Sequence, residues 1–207
     1  RDHSILNVLV IVRTSALNRD IQDFSEKLLS KDVNNAAKYV TINFQSKKLN
    51  KKAYDLPSIS KLVKIYDNYV PDVAIPETET KEELDEEHAF IDEVSKTPVM
   101  QEMKVWLQQN SLLPKNMDDA AFNKWRCLVF IGTVLKLSYK WSGIPKFTGS
   151  MFVGTSPELE MALYTTCFLT RPNTQCKLQL NGTPVTLQTY SFSYRGKNYI
   201  GSAYPDI

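Results

Sequence analysis

The chain has 207 residues, 43% of them hydrophobic and 23% charged, a composition that supports a buried core and excludes a largely disordered chain. No apolar run reaches the roughly 18 residues of a membrane-spanning helix, so we expect no membrane span. Two histidines in the whole chain leave few ways to build a zinc site or a general base that works near neutral pH.

The net charge of +2 hides an uneven distribution. Nine acidic residues and one lysine lie between Glu77 and Glu93, which leaves 24 basic and 14 acidic residues in the rest of the chain. Such a surface is compatible with a polyanionic partner, and a lysine-rich soluble surface is the simpler interpretation. We interpret the acidic run as a solvated helix face with Leu84, Ile91 and Val94 turned inward.

Residues 1–16 allow two interpretations. Arg1, the apolar stretch 5–12 and the small residues 14–16 follow the order of a secretory signal peptide, which predicts a secreted protein. The same apolar stretch is equally consistent with a first buried strand or helix.

Residues 17–132 are predicted to be helical. Pro57 and Pro98 suit first helical turns, Thr97 suits an N-cap, and Asp118 can cap a further helix. Apolar residues recur at helical spacing and predict core faces: Ile21, Phe24 and Leu28; Ile59, Leu62, Val63 and Tyr66; Met100, Met103 and Leu107; Phe122, Trp125 and Val129.

From residue 133 to 207 the pattern predicts a β-rich part. Alternation predicts strands at 134–141 and 150–153, and a helix beginning after Ser156 and ending near Leu169. Strands at 175–180 and 185–194 flank Asn181-Gly182, a favoured hairpin turn, and a last strand follows at 198–204. The fold class is therefore α+β, a helical N-terminal region followed by an antiparallel, meandering sheet with one packed helix.

Three cysteines, Cys127, Cys167 and Cys176, lack the spacing of a metal or dithiol site. We interpret them as buried small apolar residues. In a secreted protein, Cys167 and Cys176 could instead form a disulfide.

Two C-terminal segments, GSMFVGTSPELEMALYTTCFLTRP (149–172) and LQTYSFSYRGKNYIGSAYP (187–205), resemble the EndoU family of poly(U)-specific endoribonucleases. KDVNNAAKYVTINFQ (31–45) and KTPVMQEMKVWLQQNSLLP (96–114) are similar to that family's helical N-terminal region. The resemblance implies a truncated EndoU-like fold and an enzyme that cleaves RNA at uridylates to give 2′,3′-cyclic phosphate ends. It also implies uridine-rich single-stranded RNA as a partner and a Mn²⁺ requirement, for which no ligand can be assigned. We expect a monomer.

The resemblance also implies roles for three residues. WSGIPKFTGS (141–150) places Lys146 at the family's catalytic lysine, and GSAYP (201–205) places Ser202 and Tyr204 at its substrate-contacting positions. From sequence alone, Lys146 is a turn lysine. Ser202 and Tyr204 fit a docked terminal strand, with Tyr204 in the core, equally well.

The family's two catalytic histidines have no match. They belong to a segment between the last N-terminal helix and the lysine strand, and here 123–141 runs from helix directly into strand. His3 lies in the N-terminal segment, and His88 lies among acidic residues on a helix surface. A base and an acid are each worth ~10²–10⁴ in rate, so we expect a chain that is inactive or incomplete as it stands.

Three interpretations remain open. The chain belongs to a uridylate-specific endoribonuclease with more sequence than these 207 residues. Alternatively, it is an inactive family member that binds RNA through its basic C-terminal sheet, or an interaction domain in which only the fold survives.

Overall fold

The described part of the computed structural model, residues 16–39, 51–65, 80–118, 135–141 and 144–206, has helices first and strands later. The helices are α1 (Ala16–Ser30), α2 (Pro57–Ile65), α3 (Lys81–Ser95), α4 (Pro98–Gln109) and α5 (Pro157–Thr170). The strands are β1 (Leu135–Trp141), β2 (Ile144–Met151), β3 (Gln175–Leu180), β4 (Thr183–Tyr194) and β5 (Lys197–Asp206). The predicted α+β class is confirmed. The domain boundaries at 16/17 and 132/133 stay predictions, although α1 already begins at Ala16.

The strands form two antiparallel sheets and not the single meander that the sequence predicted. β1 pairs with β2, and β3, β4 and β5 form a separate sheet in that order. The second strand also begins earlier than predicted, at Ile144 and not at residue 150, because residues from Ile144 onward already pair with β1.

Side chains at the helix starts explain where three helices begin. Thr80 and Glu83 form a capping box at α3. The Ser156 hydroxyl accepts a hydrogen bond from the Leu159 amide at 3.1 Å, and Thr97 occupies the same position at α4. A proline follows the cap in both α4 and α5, where its missing amide hydrogen costs nothing.

Two tight turns build the three-stranded sheet. Asn181 and Gly182 have φ values of 51° and 72°, and Arg195 and Gly196 have 48° and 73°. Positive φ at both central residues is typical of the two-residue hairpin turn whose twist matches the flanking strands. β3, β4 and β5 therefore follow one another as a continuous antiparallel meander.

One hydrophobic core joins the helical part to this sheet. The predicted α1 and α4 faces are both buried, and they pack with α5 and with the inner face of β3 and β4. The members with 2% exposure or less from these elements include Ile21, Leu28, Met100, Met103, Leu107, Leu159, Leu163, Leu178 and Leu187.

Some predicted core positions are wrong. Leu84 is 37% exposed, because α3 meets its neighbours through its second half. Val94 is buried as predicted, Ile91 packs against the core, and Phe90 adds a buried residue that was not predicted. Val63 on α2 is also exposed, whereas Leu62 packs at the core margin. Predictions for residues 1–15, for Tyr66 and for the helix after Asp118, with Cys127, lie outside the described residues.

Cys167 and Cys176 form a disulfide, so the interpretation of both as unpaired apolar residues is wrong. The bond connects the last turn of α5 to the start of β3, and both cysteines are buried. The helix and the edge strand are brought together by the short 171–174 connection, which places the two sulfur atoms in reach of each other.

α1 covers the edge strand of the larger sheet. The Ser25 hydroxyl donates to the Gln179 carbonyl at 2.7 Å, and the Gln179 amide donates back at 3.1 Å. The Glu26 carboxylate accepts from the amides of Asn181 and Gly182 at 2.8 and 2.7 Å. The edge is therefore protected from pairing with another chain. Among the described helices, none combines the length and apolarity needed to cross a bilayer.

Candidate functional site

Ser202 and Tyr204 lie on β5, where they share one face of the sheet with Tyr190 of β4. Tyr190 is the cross-strand partner of Ser202, and Tyr204 is opposite Gln188. The opposite face of β4 carries Leu187 and Thr189, which are both fully buried. Because side chains alternate between faces, the three hydroxyl-bearing residues point away from the core. We call Tyr190, Ser202 and Tyr204 the β4–β5 site.

The two tyrosines of this site interact directly. Their ring centroids are 6.2 Å apart, and their planes are tilted by 31°. A hydrogen bond with Tyr190 holds the pKa of Tyr204 above its usual value, and partial desolvation and the Asp206 carboxylate act in the same direction. The Tyr204 phenol therefore remains neutral at physiological pH. Ser202 is exposed next to this pair, so the site presents hydroxyl groups and an aromatic face together.

The outer strand of the site is fixed at its end by polar contacts. The Ser150 hydroxyl of β2 donates to the Pro205 carbonyl, and the Gln175 amide donates to the Asp206 carboxylate at 2.9 Å. On β4, the buried Thr189 hydroxyl donates to the Arg171 carbonyl at 3.1 Å. These contacts tie the site to the smaller sheet and to the connection after α5.

Lys146 lies within β2 and not in a turn, opposite Tyr139 of β1. β2 packs next to β5, and the Ser150–Pro205 bond joins the two strands. The lysine strand and the strand with Ser202 and Tyr204 are thus neighbours. The Lys146 side chain itself lies outside the described part of the structure.

His88 is exposed on α3, which packs against α2, α4 and α5. Acidic residues surround it along the chain, including Glu86, Glu87 and Asp92. β5, in contrast, packs against β4, β2 and α5. The predicted helix-surface position of His88 is confirmed, and His3 lies outside the described residues.

Sequence reasoning missed Tyr190. Tyr190, Phe192 and Tyr194 alternate with Thr189, Ser191 and Ser193 along one strand, which predicts a strand but does not single out Tyr190. Which face would be buried depended on the pairing of β4 with β5 and on the docking of α5, and neither can be read from the alternation alone.

No metal ligand set can be assigned. Residues 16–39, 51–65, 80–118, 135–141 and 144–206 contain no group of three His, Cys, Asp or Glu side chains arranged to hold an ion. The expected Mn²⁺ requirement therefore stays a prediction.

The chain is similar to known endoribonucleases over nearly its whole length. The model of the family described as Endoribonuclease XendoU matches residues 20–125 and 131–205. Uridylate-specific endoribonuclease D of Xenopus laevis is 27% identical over 278 residues, covering 95% of this chain and 91% of the relative. The uridylate-specific endoribonuclease of Paralichthys olivaceus is 42% identical over 76 residues, or 35% of this chain and 20% of the relative.

The fold has a counterpart among solved structures. The structure titled "The structure of XendoU: a splicing independent snoRNA processing endoribonuclease" superposes with a TM-score of 0.70 at 20% identity, over 91% of this chain and 97% of that one. This likeness supports the fold, and the family match covers most of the sequence. The chain belongs to the XendoU endoribonuclease family.

Proposed function

We propose that this chain binds uridylate-containing RNA through the β4–β5 site and that its 207 residues do not cleave RNA in the family's manner. The relatives are named uridylate-specific endoribonucleases, which supports RNA as the ligand. The observation that carries the binding role is the pairing of Tyr190 with Ser202 beside Tyr204, because hydroxyl groups next to an exposed ring can contact a pyrimidine edge and its face.

Cleavage by ribose attack needs a base for the 2′-hydroxyl proton and an acid for the leaving 5′-oxygen. The chain has two histidines, and His88 lies on a helix with an acidic surface, where the negative field opposes RNA. Lys146 can contribute charge but not both proton transfers. Loss of both the general base and the general acid lowers the expected cleavage rate by a factor of about 10⁴–10⁸. The loss is smaller where the two groups act as a unit.

Two features of the comparisons support a missing segment. The alignment with the Xenopus laevis enzyme D runs over 278 residues although this chain has 207, so the relative carries residues with no counterpart here. The family match is interrupted between residues 125 and 131, the interval in which the histidine segment is expected.

The alternative is an active endoribonuclease that makes 2′,3′-cyclic phosphate ends. The similarity over 95% of the chain to a protein named as a uridylate-specific endoribonuclease favours cleavage. The two proposals differ in one measurable respect, since both require uridylate binding and only the alternative requires cleavage by the purified chain.

The experiment incubates the purified chain with a uridine-rich oligonucleotide and with the same oligonucleotide carrying cytidine at every uridine, with Mn²⁺ and with EDTA. We expect tighter binding of the uridine oligonucleotide and no cyclic-phosphate product under either condition. Ser202→Ala and Tyr204→Phe should each weaken binding several-fold, because a net hydrogen bond contributes about 1 kcal/mol. Tyr54→Phe, an exposed tyrosine elsewhere, should not.

Cyclic-phosphate product that disappears in Lys146→Ala and persists in His88→Ala would establish the alternative and make Lys146 catalytic. Equal affinity for the two oligonucleotides would refute uridylate recognition and leave an interaction domain. A gain of product with Mn²⁺ and not with EDTA would support the family-level expectation of Mn²⁺.

We also propose that the protein is secreted and monomeric. The disulfide between Cys167 and Cys176 supports an oxidising compartment, where such bonds form and persist. Analytical ultracentrifugation measures the molecular mass and so tests the monomer. Secretion is tested by expressing the protein with residues 1–16 and looking for it in the culture medium.

A further inference from the structure

An aromatic row continues from the β4–β5 site toward the tip of the β4–β5 hairpin. Tyr190, Phe192 and Tyr194 are 46%, 56% and 51% exposed, and Tyr199, opposite Phe192, is 42% exposed. A run of large exposed aromatic side chains on one strand face is typical of an interaction surface. We call Tyr204, Tyr190, Phe192 and Tyr194 the aromatic row.

The row contains two pairs of neighbouring rings. The Tyr204 and Tyr190 centroids are 6.2 Å apart, and those of Phe192 and Tyr194 are 6.4 Å apart with planes within 12° of parallel. Alternate residues of a strand repeat at about 7 Å, so the rings form successive platforms along one direction. The row begins at the residue that the proposed function assigns to uridine contact.

The backbone holds the row in place. β4 and β5 remain paired to Tyr194 and Lys197, where the Arg195-Gly196 turn closes the hairpin. The register shifts after Tyr190, and β5 accommodates Gly201 there. A Cβ on Gly201 would lie 3.0 Å from the Phe192 Cβ, so glycine allows β5 to approach Phe192 closely. Strand pairing therefore fixes the backbone that carries the rings.

The charged residues near the row favour an anionic ligand. No aspartate or glutamate occurs between Glu160 and Asp206, whereas Arg171, Lys177, Arg195 and Lys197 do. The Arg195 guanidinium lies over the Tyr194 ring at 5.1 Å, which places a cation at the far end of the row. The Asp206 carboxylate lies near the Tyr204 end of the row, and the cation lies at the other end. Aromatic rings that lead toward a cation complement the bases and phosphates of a single strand of nucleic acid.

We propose that the aromatic row stacks the unpaired bases of single-stranded RNA that flank the nucleotide held at Tyr204, extending the bound strand toward Arg195. This proposal rests on the proposed function, because the row begins at its site. Stacking is tolerant of base identity, so the row adds affinity and length dependence, and the β4–β5 site supplies the preference for uridine.

The experiment compares the parent chain with Phe192→Ala/Tyr194→Ala, using oligouridylates of about 12 nucleotides and the dinucleotide UpU. We expect the longer strand to bind about tenfold or more weakly to the double variant, with UpU affinity unchanged. Phe192→Tyr/Tyr194→Phe keeps both rings and should retain the parent affinity. Tyr54→Ala, an equally exposed tyrosine remote in sequence, should behave as the parent. Circular dichroism checks that each variant is folded.

The outcomes separate this inference from the proposed function. A parent chain that binds neither oligonucleotide refutes both. If the parent chain binds the long strand and the folded double variant binds it with the same affinity, base stacking on the aromatic row is refuted and the proposed function is not. Self-association of the parent that the double variant abolishes without a change in RNA affinity would instead make this face an interface between copies.

Discussion

The Asn34 side-chain amide donates a hydrogen bond to the Glu158 carboxylate at 2.6 Å, across 124 residues of sequence. Both side chains are buried, so the bond lies where water cannot replace it. Nearby, the Ser156 amide donates to the Asp32 carboxylate at 3.2 Å, and the Ala36 amide donates to the Gly154 carbonyl at 2.7 Å. The loop after α1 is therefore attached to the start of α5 at three points.

Asn34→Ala should destabilise the protein by about 1–3 kcal/mol, because it removes a hydrogen-bond donor from a buried carboxylate. Asn116→Ala, at an exposed asparagine, should change the free energy of unfolding by less than about 0.5 kcal/mol. Urea unfolding followed by circular dichroism measures both. Equal urea midpoints for Asn34→Ala and the parent would show that the Asn34–Glu158 hydrogen bond contributes nothing to the free energy of unfolding.

Burial raises the pKa values of Asp32 and Glu158. For each, the native state takes up a proton at a higher pH than the unfolded chain does. The resulting stability is fully present below the unfolded pKa, near 4, and is lost as pH rises through the folded pKa.

Glu158→Gln should remove the pH-dependent contribution of Glu158 to the free energy of unfolding. The parent loses that contribution as pH rises from about 4 to 7, so the variant should become more stable relative to the parent over this range. Urea unfolding of both proteins at several pH values measures the difference in their free energies of unfolding. The titration of the other carboxylates is common to both proteins and cancels in this difference. A difference that is flat with pH, or that falls as pH rises, would show that the Glu158 pKa is not raised.

Gly154 is required by its conformation and by the close approach of another segment. Its φ is +97°, and an added Cβ would lie 2.8 Å from the Ala37 Cα. Gly182, with φ +72°, has no atom within 4 Å of such a Cβ. Gly182→Ala should therefore cost only backbone strain, about 1 kcal/mol, and Gly154→Ala should cost clearly more because backbone must move. Thermal unfolding measures the loss of stability in each variant. Equal losses in Gly154→Ala and Gly182→Ala would contradict a steric clash between a Cβ at position 154 and Ala37.

The Cys167–Cys176 disulfide should contribute about 2–4 kcal/mol to stability. Cys167→Ser/Cys176→Ser should lower the free energy of unfolding by that amount, and reduction of the parent should have the same effect. Peptide mapping without reductant should recover the segments around the two cysteines as one linked product. Recovery of both as free thiols from protein purified under oxidising conditions would refute the pairing.

The strongest local signals predicted the elements well. The Thr97-Pro98 and Ser156-Pro157 pairs mark the starts of α4 and α5, and the Asn181-Gly182 turn separates β3 from β4 as expected. The start of β2 was wrong because Ile144-Pro145 looks like a turn and pairs instead with the end of β1. Proline is tolerated there because, among the described strands, β1 and β2 pair only with each other, so each has an edge without a ladder partner.

The candidate site was predicted in part, and only through the family resemblance. Ser202 and Tyr204 are on one exposed strand face, yet Tyr190, their partner across the ladder, gave no separate signal. A side chain's partner on a neighbouring strand depends on register, and here the register shifts after Tyr190. The Cys167–Cys176 pairing was likewise undetermined, since spacing alone does not show whether two thiols meet.

The sequence by itself determined the family, the α+β class and the positions of the capped helices and the hairpin turn, because these depend on motifs and on local backbone preference. Only the tertiary structure decided that the strands form two sheets, that α1 closes the edge at β3, and which face of β4 is left in water. Those outcomes depend on contacts between residues far apart in the chain, and these contacts form only once α5 has packed against both the N-terminal helices and the strands β4 and β5.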